Sequence, residues 1–253
     1  MLDDALVAAI RDLGPKPDED APQKLKKRYS ERLSAQVALT MAYELRRRGL
    51  ADARPAGPGE VDAGSGAERR MAGGIGAKKV DVTWATPESG LLLGISLKTF
   101  NARDQKSGNF QKNLTNRRGD VLMEAVTLHR RFPYAVLGAF FMFDAGAETD
   151  HERAGRVGAR RQSTFHNAHA RLRLFTGRND PSGRDEQFER FYVALIDNAA
   201  AGVVLRAYEA GRAAEVVSFA AAIDQLLYLV AERNSDFYEF DETTGRLSRL
   251  KGT

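Results

Sequence analysis

Between Ala135 and Phe143 the chain reads Ala-Val-Leu-Gly-Ala-Phe-Phe-Met-Phe, with no polar side chain at either parity. Alternate residues of a strand point to opposite faces, so a run apolar at both parities offers no face to water. The segment from Tyr134 to Phe143 is therefore expected to be a strand buried on both sides, which needs a covering layer above and below it. Helical patterns elsewhere in the chain supply those layers. From about Pro22 to Arg48, Leu25, Tyr29, Leu33, Val37, Met41 and Leu45 recur at helical spacing, and Gly49 closes the run. Thr115 or Asn116 can cap a second helix through Arg131, with Val121, Leu122, Ala125, Val126 and Leu128 apolar. A third runs from Val157 to Thr176, studded with Arg160, Arg161, Arg171 and Arg173, and a fourth from Phe219 to Ala231. Leu2, Leu6, Ile10 and Leu13 share one face of a short N-terminal helix, expected to be peripheral, which Gly14-Pro15-Lys16-Pro17 ends. Further strands are expected at Phe191 to Ile196 and Val203 to Tyr208. The order predicts an α/β domain with a central mixed β-sheet flanked by helices. One domain is expected over 1–253, since 253 residues that are 43% hydrophobic can fill a sizeable core.

The chemistry concentrates between Lys78 and Phe100. Lys78-Lys79-Val80-Asp81-Val82-Thr83-Trp84 leads to a turn at Pro87-Glu88-Ser89-Gly90, and the chain returns as Leu91 to Phe100. Two apolar, β-branched runs around a Pro/Gly turn predict a β-hairpin. Alternation places Ser96 and Lys98 on one face of its second strand, with Ile95 and Leu97 on the other. A carboxylate from Asp81, a hydroxyl and an ammonium can then converge. In apolar strands an unpaired Asp or Lys is costly, so Asp81 and Lys98 are expected to be paired, as a structural salt bridge or as a working site.

Composition removes several alternatives. With no cysteine there is no disulfide, thiolate zinc site or cysteine nucleophile. The formal charge of +4, from 38 Lys and Arg against 34 Asp and Glu, permits nucleic-acid binding without requiring it. The start, Met1-Leu2-Asp3-Asp4, is acidic where a signal peptide is basic, and no apolar run approaches a membrane span, so a cytoplasmic protein with no membrane partner is expected. Residues 51 to 77, rich in Ala and Gly, are expected to be a long loop containing Glu68. Its Gly73-Gly74-Ile75-Gly76 lacks the Walker spacing and precedes a strand, which argues against nucleotide binding.

Asp81, the hairpin turn and Ser96-Leu97-Lys98, preceded by a long helix and followed by a helix and strand, resemble the core of the PD-(D/E)XK nuclease superfamily. More narrowly, the segment is similar to type II restriction endonucleases. The resemblance covers about 24–143, with 144–253 adding helices and strands that complete the sheet. It implies a restriction-endonuclease-like three-layer core and a metal-dependent endonuclease cutting double-stranded DNA in a restriction or defence role. It implies Mg2+ as cofactor, with Mn2+ able to substitute, and a homodimer for cutting both strands. Asp81 maps to the metal-binding carboxylate and Lys98 to the catalytic lysine, with metal contacts expected at Asp81, Glu68 and Leu97. The sequence departs from the family where Ser96 stands at the second acidic position. Serine cannot supply a carboxylate's charge, and some restriction enzymes resemble this chain in moving a glutamate to a helix. Glu68 ranks first for that role and Glu124 second, with Asp120 one turn before it; Glu31 and Glu44 on the first long helix rank third.

Lys78, Lys79, Lys106, Lys112, Arg117 and Arg118 bracket this region and suit a groove tracking a phosphate backbone, and Asn113 and Asn116 have side chains able to read base edges. His166 and His169 share a helix face without a third ligand type nearby, and are expected at the surface. Trp84 is expected to pack in the core. Two other readings stay open: a catalytically degenerate DNA-binding protein on the same fold, with Ser96 marking a lost site, and a small-molecule enzyme on an unrelated α/β fold.

Overall fold

The computed structural model describes residues 1–57, 69–72, 77–104, 108–111, 114–152, 162–199 and 202–250, with 69–72, 77 and 78 described by main chain alone. Helix α1 (Leu2–Asp12) and the long helix α2 (Gln23–Arg47) come first. Strands β1 (Arg69–Ala72), β2 (Ala77–Val80), β3 (Val82–Thr86) and β4 (Gly90–Phe100) follow. Helix α3 (Leu114–His129), strand β5 (Val136–Asp144) and helix α4 (Thr164–Leu172) lie in the middle. The chain then runs through β6 (Arg190–Ala199), β7 (Gly202–Glu209), β8 (Val216–Val217), α5 (Phe219–Arg233), β9 (Tyr238–Asp241) and β10 (Arg246–Arg249).

Among the described residues the central sheet has six strands in the order β3-β4-β5-β6-β7-β8. It is mixed: β4 and β6 flank β5 in parallel, while β3 and β7 pair antiparallel outside them. The run Ala135 to Phe143 forms the middle of this sheet, and all nine residues of β5 are buried. Its parities are divided as the apolar run requires. Phe140 and Met142 enter a core with Leu33, Val37 and Met41 of α2 and Ile223, Leu226 and Leu227 of α5. Ala139, Phe141 and Phe143 enter a second core with Val121, Ala125 and Leu128 of α3 and Phe165 and Leu172 of α4. Helices thus cover both faces of the sheet, and the two apolar cores lie one on each side. Trp84 packs edge-on against Tyr238 at 5.2 Å in the first core.

Several expectations change. Helix α1 is not peripheral, because Leu2, Leu6 and Ile10 are buried in the first core. The Asp3 carboxylate accepts hydrogen bonds from the N–H groups of Phe219 and Ala220, 2.8 and 3.1 Å away, and so caps α5. The segment 51–77 is not all loop: Arg69–Ala72 pairs antiparallel with Ala77–Val80 in a two-stranded ribbon. The helix expected from Val157 starts, within the described residues, at Thr164, where the Ser163 hydroxyl accepts from His166 N–H at 3.2 Å and caps it. The β9–β10 hairpin was also not anticipated; it is tied to the end of α2 by Leu247 N–H donating to the Arg48 carbonyl at 2.9 Å. Gly90 follows the Pro87-Glu88-Ser89 turn at φ +71, where a side chain is disfavoured and an added Cβ would strike the Phe132 ring. No helix among the described residues is long and apolar enough to cross a membrane.

Candidate functional site

The β3–β4 ladder starts at Val82↔Ile95, so the main-chain N–H of Leu97 lies past its end. Asp81, in the bend between β2 and β3, takes that orphan donor: its Oδ2 accepts from Leu97 N–H at 2.6 Å. The hydrogen bond holds the carboxylate across the end of the hairpin instead of along its strand. On β4, Leu93, Ile95 and Leu97 enter the core shared with α2, which leaves Ser96 and Lys98 on the opposite face, under α3. There Glu124, buried on α3, meets both of them. The Ser96 hydroxyl donates to Glu124 Oε1, and Lys98 Nζ lies 3.6 Å from Glu124 Oε2 and 3.7 Å from Asp81 Oδ2. One ammonium therefore stands between two carboxylates whose side chains are only 7% and 19% exposed. In so little water the three charges act strongly on one another.

Asp81 and Lys98 open onto a cleft of about 610 Å³ between the N-terminal half of α2 and the chain after β4. Lys26, Lys27, Ser30, Arg103 and Arg117 are among its other lining residues, so its walls are rich in cationic and hydroxyl groups. A second cavity of about 320 Å³ adjoins it and shares Lys26, Asn101, Arg103 and Phe110 as a common wall. Lys16 stands in the second cavity, bonded to Asp144 and 3.1 Å from Asp197. Burial lowers its proton affinity, but the two carboxylates outweigh burial and raise its pKa above the usual lysine value.

The structure brings Asp81, Ser96, Lys98 and Glu124 together. Glu68, ranked first for the missing acid, lies outside the described residues, as do Lys106, Lys112, Asn113 and the side chain of Lys78. Of the alternatives, Glu31 lines the cleft and pairs with Lys27 at 3.8 Å. Glu44 is not at the site: it pairs with Arg47 and Arg48 at the far end of α2, at 3.0 and 2.9 Å. Asp120 is exposed and pairs with Arg117 at 3.5 Å. Arg117 lines the cleft and Lys79 and Asn116 are exposed, whereas Arg118 turns toward the short 3-10 turn that follows α4, its guanidinium 5.8 Å from the Phe175 ring centre. His166 is exposed as expected, but His169 is buried; its Nδ1 accepts from Gly211 N–H at 3.1 Å. Burial and the neighbouring His166 lower the His169 pKa to about 4.

Sequence reasoning missed Lys26, Ser30, Asn101 and Arg103. The run Lys24-Leu25-Lys26-Lys27-Arg28 at the start of α2 was the available signal for the first of these. Nothing in the sequence marks Ser30 and Asn101, which are joined by a hydrogen bond across 71 residues.

Among the described residues no group of three or more His, Cys, Asp or Glu side chains converges as a metal cage. The donor set nevertheless fits a hard divalent cation. Mg2+ needs only one or two carboxylates, since it retains water and takes phosphate oxygens, and Asp81 and Glu124 already share one cation, the Lys98 ammonium. No protein-family model, curated protein or solved structure matches the chain.

Proposed function

We propose that the protein is a Mg2+-dependent endonuclease that hydrolyses phosphodiester bonds in double-stranded DNA, on a restriction-endonuclease-like fold and in a restriction or defence role. The observation that carries this reading is the Lys98 ammonium between Asp81 and Glu124, with Ser96 bonded to Glu124, where Asp81 and Lys98 open onto a cleft also lined by Lys26, Lys27, Arg103 and Arg117. Asp81 and Glu124 would hold the metal, beside the Leu97 main chain to which Asp81 is bonded. Bound Mg2+ supplies an activated water and stabilises charge on the phosphoryl oxygens. Ser96 does not replace the missing acid; its hydroxyl orients the glutamate that does. Burial and the Ser96 bond keep Glu124 from rotating away, so the ligand is set before substrate arrives. Lys98 presents a proton donor and positive charge where the attacking oxygen and the pentavalent phosphate develop negative charge. Lys27 and Arg117 on the cleft walls suit flanking phosphates. Cutting both strands calls for two such sites, hence a homodimer.

The test is incubation of methylated and unmethylated plasmid and phage DNA with the protein and Mg2+, analysed for discrete fragments. Lys98→Ala and Glu124→Gln proteins should bind duplex DNA and fail to cut it. Cutting by Lys98→Ala at the rate of the parent protein would overturn the assignment. Salt-sensitive DNA binding with no metal-dependent cleavage of any substrate would instead favour a degenerate DNA-binding protein on this fold.

A further inference from the structure

Arg103 follows Lys98 by five residues, so their Cα atoms lie within about 18 Å of each other, and both side chains line the same cleft. Its guanidinium is built into place. Nη1 donates to the Gly108 carbonyl at 3.1 Å, Nη2 approaches the Gly146 carbonyl at 3.4 Å, and the group stacks 4.6 Å from the Phe110 ring centre. A Cβ at Gly146 would come 2.5 Å from Nη2 and 2.9 Å from Asp144 Oδ1, so a side chain there would push the guanidinium aside. Phe110 is held in turn: its N–H faces buried Asp150 at 3.2 Å and Thr164 at 3.3 Å, tying the loop after β4 to the start of α4. With 12% of its side chain exposed, Arg103 is an oriented cation on the wall between the two cavities.

What it holds is a carboxylate from the strap between α1 and α2. Arg103 Nε lies 2.9 Å from Glu19 Oε1, and the ammonium of buried Lys26 donates to the Glu19 main-chain carbonyl. The strap's main chain is fastened independently of Arg103. Asn198 donates to the Gly14 carbonyl at 2.6 Å, and Lys16 sits between Asp144 and Asp197. The Glu19 side chain, by contrast, is 66% exposed, so solvent screens its side of the pair. A fixed guanidinium therefore faces an exposed carboxylate in the second cavity, whose lining also includes Lys16, Lys26, Asp18, Asp144 and Asp197. Guanidinium geometry matches a phosphate as well as a carboxylate.

We propose that Arg103, with Lys26 beside it, is a binding subsite for a backbone phosphodiester of duplex DNA, and that Glu19 occupies it as an internal competitor that the DNA must displace. The inference rests on the endonuclease reading for its ligand. It assigns Arg103 a phosphate away from the scissile one, and it gives the strap a part in setting affinity.

The experiment is fluorescence anisotropy of labelled duplex DNA with the full chain in EDTA, across a salt series, so that binding is read without cleavage. Glu19→Gln should tighten binding about 3–10-fold and steepen the dependence on salt by roughly one phosphate contact. Arg103→Ala should weaken binding and abolish the effect of Glu19→Gln in the double variant. Because Arg103→Ala can loosen the loop after β4, Gly146→Ala, which moves the guanidinium while keeping its charge, should also weaken binding, and thermal melts of all variants verify folding. Unchanged affinity in Glu19→Gln, an equal gain in the Arg103→Ala background, or no duplex binding by any variant at low salt overturns the subsite. The two readings fail separately. An intact plasmid after incubation of the parent protein with Mg2+ removes the nuclease and leaves the anisotropy result standing, whereas a cut plasmid with an inert Glu19→Gln removes only the subsite.

Discussion

Replacing Lys98 by methionine keeps most of its length and removes its charge, and the consequence can be worked from the geometry. The ammonium lies 3.7 Å from Asp81 and 3.6 Å from Glu124, distances at which each unit pair is worth about 4 kcal/mol before desolvation, at an effective dielectric constant near 20. Much of that is offset by the cost of burying the lysine itself. What remains after Lys98→Met is a pair of carboxylates no farther apart than the sum of those two distances, repelling by about 2 kcal/mol and lacking a cation. The expected loss is about 3 kcal/mol, near the low end for a buried pair stripped of one partner because Asp81 retains some contact with water. For a chain of this size it lowers Tm by about 6–12 °C. The same loss should be reversible by metal. Mg2+ at a hundred times its Kd returns about 2.7 kcal/mol, while the parent protein, already neutralised by Lys98, should gain less. Differential scanning fluorimetry in EDTA and in a Mg2+ titration measures both. A Lys98→Met protein as stable as the parent in EDTA, or one equally destabilised with and without Mg2+, would refute the claim that Asp81 and Glu124 form one cation site.

Ser96→Ala removes the hydroxyl bonded to Glu124 and should cost about 1–2 kcal/mol in urea denaturation and lower Mg2+ affinity, because a buried carboxylate loses a donor; Ser96→Thr should recover part of both. Glu189 is fully buried at the other end of the sheet, 3.1 Å from Arg178 and 2.6 Å from Arg233. Burial pushes its pKa up, but His129, Arg233 and the Leu137 N–H outweigh it and hold the carboxyl below its usual value. A depressed acid stabilises the fold above its unfolded pKa and loses that contribution as pH falls through the folded one, so urea midpoints should drop steeply below about pH 4. Glu189→Gln should lose stability at neutral pH and flatten that acid limb; an unchanged limb would remove Glu189 from the account. His169, held neutral with a pKa near 4, works in the window above. The unfolded chain takes up its proton near pH 6.5, so stability should fall as pH drops from about 6.5 to 4, and His169→Phe should flatten that slope in the same urea series.

Much of the architecture was written in local patterns. The doubly apolar run at Ala135 to Phe143 required cover on both faces and has it, and the periodicity of α2, α3 and α5 marked the covering helices, because side-chain direction follows from strand and helix geometry within a few residues. The hairpin and the facing of Ser96 and Lys98 were legible for the same reason. Helix α1 was misjudged as peripheral because its burial depends on where α2, α5 and β7 pass, and the β9–β10 hairpin escaped notice because its strands are only four residues long.

The site divides in the same way. The sequence by itself brought Asp81 and Lys98 together across one hairpin, since their spacing lies within one short stretch, although Asp81 sits in the bend just before the hairpin's first strand. Only the tertiary structure decided that Glu124, twenty-eight residues beyond Ser96, comes to rest on that serine, and that Lys26 and Arg103 form a wall of one cleft. Those meetings are set by how α2 and α3 dock on opposite faces of the sheet. Docking follows from side-chain packing between distant segments, which no periodicity within a single segment records.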